Sequence, residues 1–215
     1  MSSIPAPSGD ILAAPESGAT GRSATYAVYG LVACAMALFA QTLRETWWFF
    51  RLYAPQYPHG LTLTISLQGL SGDVREINML NHYIGMAPLD QAAVFERAYA
   101  TPAIAVFLIG LMAVTYLAKR AHSWLLPALG ALFPVGFLAD SMFWLYRFGH
   151  HLDPHAPLRL AGFTPQLFGN GTIGQFMTFA RPERGFWLAV AGVGLLTIAA
   201  FLRVRPSSSN AKTAG

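Results

Sequence analysis

Four apolar stretches constrain this chain more than any other feature: Tyr26–Leu43, Thr101–Ala118, Ser123–Ala139 running on to Tyr146, and Gly185–Leu202. Each is about 18 residues or more, enough at roughly 1.5 Å per residue to cross a hydrocarbon core of about 30 Å. Lipid offers no partner to a free backbone N–H or C=O, so each stretch is expected to be a helix. Composition agrees. With 54% hydrophobic residues, 11% charged and a mean hydropathy of +0.42, the chain carries more apolar surface than a soluble domain of 215 residues needs to bury. The expected fold is an all-α integral membrane protein, a four-transmembrane-helix bundle with helices at about 26–50, 101–118, 123–147 and 185–202. Two long loops, 51–100 and 148–184, lie on one side of it.

Residues 1–25 are rich in Ser, Pro, Ala and Gly and lack a basic segment followed by an apolar core, so they read as a disordered lead and not as a cleavable signal. The tail from about 203 to 215 is of the same kind. The single cysteine, Cys34, lies inside the first span, which excludes an internal disulfide and any site of several cysteines. Orientation follows from cations in short segments. Lys119-Arg120 in a tight connection, Arg203 and Arg205 at the last exit, and Arg22 before the first span favour cytoplasmic N and C termini in a bacterial inner membrane. The net charge of +4 is then a topology signal, with no basic stripe to suggest nucleic acid. Trp47 and Trp48, Trp144 and Tyr146, and Trp187 stand at span ends and read as an interfacial aromatic belt.

The two loops, both extracytoplasmic in this orientation, are more specific. Leu61–Gln68 alternates apolar and polar residues, the period of a half-buried strand. Beyond Gly69 and Gly72, residues Val74, Ile77, Leu80, Asn81 and Ile84 recur at helical spacing, with Ser71 or Asp73 placed to cap the N-terminus. Pro88 disfavours helix at Ala87, which closes this helix near Gly85. A second amphipathic segment, Leu89–Tyr99, leads to Pro102 at the start of the next span. In the second loop, His150-His151-Leu152-Asp153-Pro154-His155 follows the third span, and Gly169-Asn170-Gly171 marks a tight turn.

Five of the six histidines, His59, His82, His150, His151 and His155, fall in these loops. Neutral imidazole is a common transition-metal ligand, and a methionine thioether adds a soft donor suited to Cu(I). His82 and Met86 are four apart, on one face if the helix persists. A copper site built from His82, Met86 and members of the group His150, His151 and His155 is the sharp reading. Its plain counterpart makes His150 and His151 cap the third helix, and His59 a turn residue. A second constellation is charged. Asp140 lies about four residues inside Trp144, roughly 6 Å deep, where an ionised carboxylate is costly without a partner. Arg44 at comparable depth offers a structural ion pair, Arg44–Asp140, between the first and third spans. The functional alternative is a relay from Asp140 to the histidines above it.

Histidines within facing helices, as a transmembrane haem requires, are absent. So are a Walker loop, Gly-x-Ser-x-Gly and His-Glu-x-x-His. The run Asp73–Met86, containing Asn81-His82-Tyr83-Ile84-Gly85-Met86, together with His150–Pro157, resembles small polytopic membrane proteins encoded beside copper-enzyme genes, those accompanying accessory factors of nitrous oxide reductase. The resemblance implies copper handling and carries over no catalytic residue. Two readings follow: an accessory protein whose loops bind or deliver copper to a partner enzyme, or a non-catalytic assembly subunit whose apolar loops dock a protein partner. A third is an enzyme acting on lipid or hydrocarbon at the level of Asp140.

Overall fold

The computed structural model describes residues 17–204, and the expectations for the terminal lead and tail fall largely outside them. Ten elements follow one another: α1 (Ser17–Gln41), β1 (Thr46–Ala54), β2 (Tyr57–Ser66), β3 (Gly69–Gly72), α2 (Val74–Ile84), α3 (Val94–Leu117), α4 (Leu125–His150), β4 (Gly169–Ile173), β5 (Phe176–Pro182) and α5 (Arg184–Val204). Four helices, α1, α3, α4 and α5, are long and apolar enough to cross a membrane. Their faces toward lipid and toward each other are both apolar, as expected where the solvent is hydrocarbon.

The all-α expectation is overturned by the segments between the helices, which form a five-stranded antiparallel sheet of order β3-β2-β1-β5-β4. The chain leaves α1 at Gln41, turns once through Thr42–Arg44, and enters β1, so Trp47–Phe50 are strand and not the end of the first helix. Aromatic residues fit a pleated surface well, and a polar Arg44-Glu45 break separates them from the apolar helix. β1 pairs with β2 (Phe50 opposite Leu63, Leu52 opposite Leu61) and with β5 (Phe50 opposite Ala180). Trp48, Phe50, Leu52, Leu63, Ile65 and Ala180 therefore share the inner face, while Phe49, Arg51, Tyr53 and Arg181 share the outer one. There the guanidinium groups of Arg51 and Arg181 stand 5.3 and 5.1 Å from the Phe49 ring centre. Gly169-Asn170-Gly171, expected as a turn, opens β4, and the hairpin bends instead at Gly174 with φ of 57°.

α2 lies on the inner face with Ile77, Leu80, Asn81 and Ile84 buried, in keeping with its periodicity, and ends at left-handed Gly85. Asp73 occupies the N-cap position, yet its carboxylate does not cap. It accepts hydrogen bonds from Thr62 N (2.7 Å) and Thr62 Oγ1 (3.0 Å), tying α2 to β2 and holding the acid below the usual carboxylate range. α3 begins at Val94 rather than Thr101, so Pro102 sits within the helix and not at its start.

The tryptophan belt needs the same correction. Trp47 and Trp48 are 0% and 2% exposed, and donate their indole N–H groups to Thr42 O (3.1 Å) and Leu167 O (2.9 Å). They form the joint between sheet and bundle, packed on Phe137 and Phe186. Trp187 and Tyr146 remain exposed at helix ends.

Candidate functional site

Two places in the fold collect the residues singled out above. The first is the junction of α2 with the second loop. The Asp153 N–H donates to Gly85 O (2.8 Å) and the Leu158 N–H to Tyr83 O (2.9 Å), so the two loops fold together against the end of α2. Any Cβ at Gly85 would meet the Asp153 backbone at 2.8 Å, which makes glycine the residue that permits this approach. Asp153 then stands against the imidazole of His155. Its Oδ1 accepts the His155 backbone N–H (2.9 Å), and His155 Nδ1 lies 3.3 Å away. The backbone bond is the main cause that holds the Asp153 carboxyl below its ordinary range, with smaller contributions from the His155 and His82 side chains.

The other expected ligands are dispersed. Because α2 stops at Ile84, His82 and Met86 do not share a helical face: His82 is exposed, whereas Met86 is half-buried in the apolar cluster under the sheet. His150 and His151 place their Nδ1 atoms 3.0 Å from Tyr146 O and Arg147 O, capping the last carbonyls of α4, and His150 stacks on Tyr146. Among the described residues, no three His, Cys, Asp or Glu side chains converge closely enough to hold a metal ion.

The second place is a chamber of about 540 Å³ between the inner face of the sheet and the bundle. Phe50, Leu52, Leu63 and Ile65 form one wall, with α2 contributing Leu80, Asn81 and Ile84. Tyr99 and Ala103 of α3, and Phe137, Asp140, Trp144 and Phe148 of α4, form the other. The volume lies within the roughly 300–1,000 Å³ typical of small-molecule sites, and the lining is mostly apolar with a few polar groups.

Asp140 belongs to this chamber. Arg44 does not: it is exposed in the turn after α1, and among the described ion pairs none joins it to Asp140. Arg44 follows a helix whose main packing is along α5 and not along α4. Asp140 instead has Glu96 of α3 as its charged neighbour and the Trp144 indole beside it. Two residues stand out that sequence reasoning assigned no role. Glu96 looked like an ordinary first-turn acid of a helix. Asn81 gave a clearer signal, as an amide within the apolar stripe of α2. It is 6% exposed, and its Nδ2 has no hydrogen-bond partner among the described residues. Neither a protein-family model nor a curated protein sequence matches this chain.

Proposed function

We propose that the protein is a membrane-embedded, non-catalytic accessory subunit that holds a lipid-like molecule in the chamber between its sheet and its helices. The observation carrying this reading is the chamber itself, an apolar space of about 540 Å³ at the level where spanning helices meet an extramembrane sheet. An occupant enters from the bilayer, where apolar molecules are already concentrated, and needs no aqueous path. With the cations of Lys119, Arg120 and Arg203 marking the cytoplasmic side, the sheet faces outward from a bacterial inner membrane.

The test is occupancy in the purified full chain. An apolar fluorescent dye such as N-phenyl-1-naphthylamine should bind in nanodiscs and accept energy from Trp48 and Trp144 in the chamber wall. Gly136 lines the chamber, and a Cβ added there would meet nothing within 4 Å, so Gly136→Leu should fill the space and abolish dye binding while the fold is kept. Unchanged dye binding in Gly136→Leu and in Ala103→Leu would reject the reading.

A second reading, copper binding or delivery to a partner enzyme, starts from the pairing of Asp153 with His155, whose Oδ1 and Nδ1 lie 3.3 Å apart. In that reading the α4 histidines and Met86 join after local rearrangement. Stoichiometric copper in protein washed with a weak chelator, lost with His82→Ala or His155→Ala, would support it. Metal-free protein after copper loading would count against it.

A further inference from the structure

We infer that the chamber selects amphiphiles whose head group is a neutral or cationic hydrogen-bond donor, and rejects anionic phosphate heads. The inference rests on the lipid-holding reading above and specifies its ligand class.

Acidic groups outnumber basic ones in the chamber wall, two carboxylates to one guanidinium. Glu96 and Asp140 approach it from facing helices, and neither has a cationic partner among the described ion pairs. The guanidinium in the wall, Arg97, is engaged by backbone carbonyls. Its Nη2 donates to Asp90 O (2.6 Å) and its Nε to Ala93 O (3.2 Å), closing the turn that opens α3 around left-handed Ala93. An ionised carboxylate only accepts hydrogen bonds, so these two groups call for a donor. A phosphate would bring further negative charge against these two carboxylates, which outnumber the single guanidinium beside them.

Asn81 provides an independent indication. Nine-tenths buried among apolar side chains, it lines the chamber with its Nδ2 unpaired among the described residues, a state that a bound polar atom would relieve. The Trp144 indole N–H is buried beside the Asp140 carboxylate, which takes up part of its donor capacity. Together Glu96, Asp140 and Asn81 offer two acceptors and a donor to a hydroxyl, amine or amide head, while the apolar walls take its chain.

The experiment displaces N-phenyl-1-naphthylamine from the full chain in nanodiscs with 1-dodecanol, dodecylamine or dodecyl phosphate, which share a tail and differ in the head. Dodecanol and dodecylamine should displace the dye at concentrations about tenfold lower than dodecyl phosphate. In Glu96→Gln and Asp140→Asn, which keep side-chain volume, the gap should shrink to within about threefold. Equal displacement by all three amphiphiles, or a preference unchanged in both variants, overturns the head-group inference and leaves the chamber reading intact. Failure of the dye to bind at all overturns both.

Discussion

The α1–α5 side of the bundle and the α3–α4 side solve the same packing problem in opposite ways. Between α1 and α5 the contacting residues are small, with Ala35, Ala189 and Ala199 fully buried, and the Phe39 ring lies directly on Gly192. In lipid, close approach of this kind supplies through dispersion the association that water would otherwise drive. α3 and α4 instead meet the sheet through large rings, including Tyr99, Phe137, Trp144 and Phe148, and leave a space. Small residues remove volume from an interface, and bulky ones propped against a sheet enclose it.

That contrast is open to direct attack. The largest effect is expected at the joint between the two sides: Trp47→Ala removes a fully buried indole and should cost roughly 3–5 kcal/mol, read by thermal or SDS unfolding in detergent. On the tight side, Gly192→Val places a Cβ 2.8 Å from the Phe39 ring, and overpacking of about 1–3 kcal/mol should appear in the same assay. On the open side, Gly136→Leu should change stability by no more than about 0.5 kcal/mol while removing dye binding. Equal destabilisation by the last two would erase the distinction between the sides.

A smaller effect concerns how α2 is held over the chamber. The folded pKa of Asp73 is depressed below its ordinary 3.8, so the stability it contributes is present above that value and is lost as pH falls through the lower, folded one. Asp73→Ala should therefore lose some stability at neutral pH and flatten the acid limb of a pH–Tm profile. An acid limb unchanged by this substitution would show that the Thr62 pairing contributes little.

The helices were legible because lipid imposes a simple rule on length and polarity, and α2 was legible because Ile77, Leu80 and Ile84 repeat at helical spacing. β2 was visible in its strict alternation. β1 was hidden because Trp47–Phe50 continues an apolar helix after a break of only a few residues, and a short apolar run has no period of its own. Its partnership with β5 joins residues more than a hundred positions apart, and local pattern does not record such pairing. The functional residues divide similarly. Asp140 announced itself as an acid inside an apolar span, whereas Asn81, an amide on an apolar face, was passed over as one more position at helical spacing. Their chamber is a property of three elements meeting, and the histidines drew attention by chemical type although most cap backbone or face water.

One consequence of the sheet topology reaches beyond the site. β1 follows α1 after a single turn, β5 passes into α5 through Glu183 alone, and the two strands pair as the two helices do. Strand pair and helix pair thus run into one another as a single beam. The sheet inherits whatever tilt α1 and α5 adopt, and a thinner membrane that leans the beam would reshape the roof over Asp140 without any loop having to move.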